Sequence, residues 1–482
     1  SVTPVLKEAS FRAQPPVPPL HQGGHTAHKR SRTADTEAVY KTYKRASPPF
    51  AEKLMFQTFG RSGLQRLTAC ALLALLSTPS MAQSGVDDQY RLGLYQRETG
   101  QPYASIETLE SLLAANPTLN RARLELAVAY HRTLDYARAR AEAERVLKDP
   151  NTPETVRLSI SSFLKQIELE ERANFGQPHR FEANVSLGLI YDSNVNAGPD
   201  STLLGSFNGG DLILDKAYTN KSDWGSIAQA ELRHTWQRPA PVRVLDQPSR
   251  LLWTSSLGLY HKGYKQYNEY DLGVVTLATG PALIVGNSWR GNLNFQLDDL
   301  HFGGEHLGLY TSISPSGTWK VGRSGELTLD AQWVKRDFHR PGDSAREGQY
   351  RSVGASYGRL MGNQTWSLQG GVRLFEESAR EDRFSYTGDE WFIGARTQFS
   401  GVDLFARAAW RNARYIGVEP VFAVSRRETE RRVELGAGYT FEAGWLEKWQ
   451  LAATLANIHT KANLTLYGYD RDTVTVNLNR SF

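Results

Sequence analysis

The sequence predicts an α + β membrane protein, in which an N-terminal tetratricopeptide-like helical module precedes a 14-stranded antiparallel transmembrane β-barrel. Three observations predict this fold. Apolar and polar residues alternate with a period of two across residues 175–482, apolar residues recur at helical spacing across residues 83–174, and residues 55–82 have the layout of a secretory signal peptide. A barrel wall needs the period of two because one strand face meets lipid and the other faces the lumen.

The predicted signal peptide, residues 55–82, consists of a positively charged stretch, a short apolar core at 67–76 and a cleavage site resembling A-x-A at Ser80-Met81-Ala82. The apolar core is too short to span a bilayer. We therefore expect the mature chain to begin near Gln83. Residues 1–54 would then be an upstream segment that is not native, or a disordered extension.

The net charge of +5 comes from the first 82 residues. Residues 1–54 contain nine Lys/Arg and four Asp/Glu, and residues 55–82 add two arginines, so residues 83–482 carry a net charge of −2. The basic balance is therefore no indication of a nucleic-acid partner, and we expect none. The single cysteine, Cys70, lies in the signal peptide, which excludes disulfides and thiolate chemistry from residues 83–482.

The helical segment, residues 83–174, contains an internal sequence repeat. Pairs of Tyr and Pro residues recur 33 positions apart, which is typical of tetratricopeptide repeats. The alternative is a plain helical bundle in which this 33-residue spacing arises by chance. The predicted repeat-packing residues are Tyr103, Pro117, Tyr130, Tyr136, Ala139 and Pro150. Such repeats form a concave groove that commonly binds polypeptide.

The remaining residues contain fourteen candidate strands. These lie at 180–191, 223–237, 249–263, 269–282, 288–301, 306–320, 325–339, 347–361, 364–376, 385–400, 402–415, 428–442, 448–462 and 470–482. An even strand number places both ends of the barrel in the periplasm, and the helical module with them. Residues 192–222, 376–384 and 416–427 are predicted to be the longer outer loops. A soluble β-sandwich or propeller is the rival architecture.

The last strand ends the chain on an aromatic residue, as outer-membrane barrels do. Its predicted lipid-facing residues are Val474, Val476, Leu478 and Phe482. We expect them to act as an assembly signal for the barrel insertion machinery in the outer membrane of a Gram-negative bacterium. Membrane lipid and lipopolysaccharide would be further partners.

The run from Phe175 to Asn196, which contains Tyr191-Asp192-Ser193-Asn194, resembles the linker and first strand of the surface lipoprotein assembly modulators, the Slam family of type eleven secretion. The resemblance covers residues 83–482 in architecture, but only this run and the last strand in motif. It implies a periplasmic tetratricopeptide module and a barrel that moves protein cargo to the cell surface. The cargo would be a surface lipoprotein or a soluble haem- or metal-carrier protein, and no cofactor is expected.

Two groups of residues are candidates for the cargo path. Strand alternation assigns Gln229, Glu231 and Arg233 to the lumen. Residues Tyr191, Asp192, Ser193 and Asn194 should shape the end of the first strand, beside the seam with the last strand.

Three other functions are considered. A polysaccharide exporter would be expected to have aromatic and basic residues in its lumen and a longer repeat array. A solute porin needs no repeats. A barrel enzyme would use a cluster of acids and histidines, namely Asp298, Asp299, His301, Glu305 and His306. Solvated loop charges explain that cluster better, so we predict no catalytic or metal site.

Overall fold

The computed structural model describes residues 81–482 except 208–209 and 363–364. The predicted upstream segment and nearly all of the signal peptide lie outside the described residues. Among the described helices, none combines the length and apolar character needed to cross a membrane.

Five helices make up the N-terminal part of the described chain. They are α1 (Met81–Glu98), α2 (Pro102–Ala115), α3 (Asn120–Arg132), α4 (Tyr136–Leu147) and α5 (Glu154–Phe175). Proline occupies the first turn of α2, where its missing N–H leaves no hydrogen bond unmade. Asp135 caps α4 by accepting a hydrogen bond from the backbone N–H of Arg138 at 3.1 Å.

The helices share an apolar core in which Leu109 and Leu112 are fully buried. Of the predicted repeat residues, Tyr130, Tyr136 and Ala139 lie in this core, and Tyr103 packs at its edge. The exposed Pro117 and Pro150 occupy the turns after α2 and α4. Burial, followed by a hydrogen bond to Glu110, raises the pKa of Tyr130. The tetratricopeptide assignment of this five-helix module stays a prediction.

Within the described residues, fourteen long strands form one closed antiparallel sheet. They are β1 (His179–Asp192), β4 (Asp223–Gln237), β6 (Gln247–Tyr264), β7 (Leu272–Val285), β8 (Trp289–Phe302), β9 (Glu305–Val321), β10 (Gly325–Phe338), β11 (Gly348–Met361), β12 (Trp366–Ala379), β13 (Tyr386–Phe399), β14 (Val402–Glu419), β15 (Val424–Thr440), β16 (Trp449–Ala462) and β17 (Tyr469–Ser481). The first strand, β1, pairs with β4 on one side and with the last strand, β17, on the other, which closes the barrel. The predicted 14-stranded barrel is therefore confirmed.

Three short strands lie outside this set. The strands β2 (Leu203–Phe207) and β3 (Gly210–Ile213) form a hairpin in the long loop between β1 and β4. The strand β5 (Val242–Val244) pairs with the start of β6 in the connection from β4. We call the end of the barrel where β1 starts and β17 finishes the terminus end, and the opposite end the loop end.

The predicted outer loops 376–384 and 416–427 are wrong in extent. The strand β12 continues to Ala379, and the β14–β15 hairpin leaves only residues 420–423 as its turn. Polar composition misled the sequence interpretation, because charged residues of these strand extensions, such as Glu377, Glu419 and Arg426, are buried in the barrel and do not belong to solvated loops. The strand predicted at 269–282 begins at Leu272, three residues later than predicted, because a 3-10 turn occupies Asn268–Tyr270.

The outward strand faces are apolar over the middle of the barrel. Leu189, Leu232, Ile393 and Leu435 are each at least half exposed there. An exposed apolar surface that encircles a closed sheet is what contact with lipid requires.

Candidate functional site

A buried ion pair lies at the loop end of the seam between the first and last strands. Asp192 ends β1 and is fully buried, and Arg471 of β17 is 8% exposed. Arg471 donates from Nε to Oδ1 of Asp192 at 3.0 Å and from Nη2 to Oδ2 at 2.5 Å. Tyr264 of β6 donates its hydroxyl to the same Oδ2 at 2.6 Å. The carboxylate therefore has the charged partner and the hydrogen bonds that a buried charge requires.

The next two residues attach the first loop to β17. The backbone N–H of Ser193 donates to the carbonyl of Asp472 at 2.9 Å, and the Asp472 N–H donates to Ser193 Oγ at 2.7 Å. The Asn194 side chain donates to the carbonyls of Asp470 and Gly198 at 2.9 and 2.8 Å. The Asp-Ser-Asn sequence thus has a structural role at the seam.

Tyr191, a candidate for the cargo path, lies on the outward face of the barrel and does not line the lumen. Successive strand residues point to opposite faces, so Tyr191 and the inward-facing Asp192 cannot share one. The Tyr191 ring packs against Trp224 of β4, with centroids 5.1 Å apart.

The lumen candidates Gln229, Glu231 and Arg233 do face inward on β4. Arg233 and Glu231 form an ion pair at 2.6 Å, and Glu231 is 9% exposed. They lie between the middle of β4 and its terminus end. The strand β4 pairs with β1 on one side and with β6 on the other. Their contact with cargo stays a prediction.

An apolar cluster packs along the inward face near the loop end, from β7 to β14, and we call it the outer cluster. Its residues are Leu272, Val274, Leu300, Leu307, Tyr310, Val334, Phe338, Tyr350, Phe375 and Ala413. Tyr350 is fully buried and Leu300 is 1% exposed. The Phe375 ring lies against Gly388 of β13, where a Cβ atom would come within 2.5 Å of the ring. Glycine is therefore required at that position.

Arginine side chains extend this packing. The Arg336 guanidinium lies 5.6 Å from the Tyr310 ring and 5.2 Å from the Tyr350 ring, and it pairs with Glu377 at 2.6 Å. A second arginine, Arg426, is 2% exposed and stacks on two tyrosine rings at 3.7 and 4.0 Å. Cations on aromatic faces are stabilised more strongly when they are desolvated.

The opposite end of the lumen is accessible to solvent. Inward-facing residues near the terminus end, including Asn292, Glu326, Gln369 and Phe405, are exposed. Phe405, an inward aromatic residue like Phe375, is 39% exposed, whereas Phe375 is 5% exposed. Inward-facing side chains are therefore exposed toward the terminus end and buried at the loop end.

The helical module contacts the barrel through the β4–β6 connection. The Arg243 guanidinium of β5 lies 4.3 Å from the Tyr103 ring and 3.3 Å from Oε1 of Glu107. The Gln237 side chain donates to the carbonyl of Asn174 near the end of α5. Burial raises the pKa of Tyr103, while the nearby Arg243 opposes this. Sequence reasoning missed Arg243, because no local pattern links a strand connection to a distant helix.

The five enzyme candidates are not all brought together in one site. Asp298 faces inward and accepts a hydrogen bond from Thr276 at 2.6 Å, whereas Asp299 faces outward and pairs with His306 at 2.6 Å. His301 lies beside His306, with ring centroids 5.1 Å apart. An inward and an outward carboxylate on opposite sides of a barrel wall cannot act on the same substrate atom.

The predicted assembly residues lie on β17 and just beyond it. Val474 and Val476 face outward and are 38% and 42% exposed, and Leu478 shares their face. Phe482 exchanges two backbone hydrogen bonds with Ala183 of β1, at 2.8 and 3.2 Å. Recognition by insertion machinery stays a prediction.

The closed antiparallel sheet, its outward apolar band and its charged inward face define an outer-membrane β-barrel. The chain belongs in the outer membrane of a Gram-negative bacterium. Both barrel termini lie at one end, so the terminus end faces the periplasm together with the helical module, and the loop end faces outside.

No family model and no curated protein matches the chain. Solved structures with a similar barrel include OccAB4 of Acinetobacter baumannii, with 10% identity over 64% of this chain and 100% of that one, at a TM-score of 0.32. OccK3 (OpdO) of Pseudomonas aeruginosa shares 14% identity over 63% of this chain and 95% of that one, at a TM-score of 0.31. A loop L8 deletion mutant of OmpT, an outer membrane protein of Vibrio cholerae, shares 8% identity over 63% of this chain and 99% of that one, at a TM-score of 0.37. Similarity at this level says nothing about function.

Proposed function

We propose that this barrel is a translocator that moves protein cargo from the periplasm to the cell surface. The cargo class is a surface lipoprotein or a soluble haem- or metal-carrier protein. The observation that carries the proposal is the asymmetry of the inward face, whose side chains are exposed toward the terminus end and buried in the outer cluster at the loop end. A barrel of this shape accepts material from the periplasm and keeps the membrane sealed between transport events.

The helical module is the proposed receiving surface. It is attached beside the open mouth of the lumen through Arg243, Tyr103 and Glu107. Paired helices leave grooves that bind polypeptide segments, so cargo held there would lie next to the lumen entrance.

A polysaccharide exporter is the second candidate. The aromatic residues that face the lumen favour it, because sugar rings pack against aromatic faces. The inward arginines do not favour it, since carboxylates oppose them, as in the pairs Arg373–Asp330 at 2.9 Å and Arg407–Glu390 at 3.4 Å. A helical module of five described helices is also short for such an exporter.

Comparative surface proteomics of wild-type and deletion cells tests the proposal. We expect the deletion to leave one particular protein in the periplasm, with general outer-membrane permeability little changed. Complementation with the full chain should restore its surface exposure. Unchanged surface proteins together with loss of an extracellular polysaccharide would show that the exporter is correct.

A further inference from the structure

Four cationic side chains lie together on the outward face of the barrel near its outer rim. They are Arg414 of β14, Arg427 and Arg431 of β15, and Lys461 of β16. All four are exposed. We call this group the rim patch, and nothing in the proposed transport function uses it.

The strand register brings these charges close together. Arg414 lies directly opposite Arg427, and Arg431 lies opposite Trp410. Lys461 pairs with Thr429, the outward residue between the two arginines of β15. Adjacent strands are about 4.8 Å apart, so the patch is roughly 10 Å wide. Like charges directly opposite each other across two strands are unfavourable. The arrangement therefore contains a repulsion that a bound anion would relieve.

The described part of the chain does not supply that anion. Among the described residues, none of the four cations forms an ion pair. The nearest outward carboxylates have other partners. Asp389 accepts hydrogen bonds from Trp391 and Asn412 at 3.1 and 2.9 Å, and Asp470 pairs with His459 at 2.5 Å. Elsewhere on the same rim, Lys335 pairs with Asp337 at 2.9 Å, so an unpaired cluster is not general to this surface.

The patch lies at the level of the outer-leaflet headgroups. Trp391 and Trp410 are outward and 57% and 43% exposed, and tryptophans of this kind mark the membrane interface. The outward residues Val433 and Leu435 below them are apolar and about half exposed. Arg431 is level with Trp410, while the facing arginines lie four residues further out along their strands.

We propose that the rim patch binds the phosphate groups of the anionic glycolipid of the outer leaflet, the lipid A part of lipopolysaccharide. Guanidinium groups bind phosphate through paired, charge-assisted hydrogen bonds, and three of the four cations are arginines. The patch lies on the strands themselves, directly above the tryptophans and facing lipid. That position favours a membrane glycolipid over an acidic protein, which would meet the loops first. The inference requires the outer-membrane location and is independent of the transport function.

Binding of lipid A to the full chain in detergent, measured by native mass spectrometry, tests the assignment. We expect the triple variant Arg414→Gln, Arg427→Gln, Arg431→Gln to bind bisphosphorylated lipid A at least tenfold more weakly than the wild type. The matched control Lys335→Gln removes one rim cation outside the patch and should change binding less than twofold. Equal binding by the triple variant and the wild type would overturn the proposal.

Two further probes identify the source of the phosphate. Lipid A without phosphates should bind the wild type weakly, with no further loss in the triple variant. Inorganic phosphate at the same concentration should not compete with bisphosphorylated lipid A. Full competition by inorganic phosphate would mean that the rim patch binds a free anion, and it would overturn the lipid assignment.

Folding of the variants is checked by heat-modifiable migration on gels. The substitutions remove facing like charges, so the melting temperature of the triple variant in lipid-free detergent should not fall. If the triple variant does not fold, the single variants Arg414→Gln and Lys461→Gln take its place, each with an expected loss of several-fold in lipid A binding. Unaltered binding in both would refute the site.

Discussion

Asp192 and Arg471 form a buried ion pair across the closing seam of the barrel, although 279 positions separate them in the chain. Every other boundary between the fourteen described long strands joins consecutive long strands, so the seam is the one boundary among them that joins the two ends of the barrel sequence. Tyr264 bonds the same carboxylate from β6, which links the outer end of the seam to the second strand beyond it. The outer end of the seam is thereby fixed more firmly than backbone pairing alone would achieve.

We expect Asp192→Ala to destabilise the barrel by about 3–5 kcal/mol, because Arg471 would remain buried without its counter-charge. The free energy of unfolding in urea, measured in detergent by loss of heat-modifiable migration, checks this. Asp200→Asn is the matched control, since Asp200 lies in the loop that follows β1 but is exposed. Equal stability of the two variants would contradict a structural role for the ion pair.

The second prediction concerns conductance. The outer cluster packs the inward face at the outer end. We propose that this packing closes the lumen, so the wild type should show little steady ion conductance in planar bilayers. The double variant Tyr350→Ala, Phe375→Ala removes two buried rings and should raise conductance severalfold.

Phe405→Ala is the control for this measurement, because Phe405 also faces the lumen but lies in its open half. It should leave conductance near the wild-type value. A wild-type barrel that already conducts like an open pore would show that the outer cluster does not seal the lumen.

The strand number and order could be predicted from the sequence because the wall of a membrane barrel imposes a period of two on every strand. The same alternation assigns Glu231 and Arg233 to the strand face opposite the half-exposed Leu232. Residue patterns failed where a strand leaves the apolar band. Charged residues such as Arg426 and Glu428 are buried there, so composition alone mistook the extended hairpin of β14 and β15 for a loop.

The contacts at the site could not be predicted, because they join residues that are distant in sequence. The Tyr191–Asn194 run was singled out as a motif, but its partner Arg471 carries no local pattern. The packing of the inward face at one end depends on which inward residues lie opposite each other on neighbouring strands, as Phe375 and Gly388 do. This strand register is set by how the sheet closes, and composition alone does not predict it.

The third prediction concerns attachment of the helical module. Arg243→Ala removes a cation–aromatic contact with Tyr103 and an ion pair with Glu107. We expect faster proteolysis in residues 99–120 of the purified full-length protein, together with reduced cargo delivery. Arg172→Ala is a control of equal charge, since Arg172 pairs only with Glu168 of its own helix. The same proteolysis rate in both variants would show that Arg243 does not hold the module in place.

The last prediction concerns assembly. Phe482 closes the seam at the periplasmic end through its two backbone hydrogen bonds with Ala183, and the Arg480 guanidinium lies 4.8 Å from its ring. Deleting Phe482 removes both hydrogen bonds and the exposed aromatic ring from the strand that completes the barrel. We expect lower outer-membrane levels and less heat-modifiable protein at normal expression.

Phe399→Ala separates this effect from a general loss of aromatic surface. Phe399 is 72% exposed and ends β13 near the same periplasmic rim, but it is remote from the seam. Immunoblots of outer-membrane fractions should show a reduced level for the Phe482 deletion and a near wild-type level for Phe399→Ala. The variant Phe482→Tyr keeps the backbone bonds and an aromatic ring, so it should assemble normally. If the deletion assembles as well as Phe482→Tyr, the terminal residue contributes nothing to recognition of the last strand.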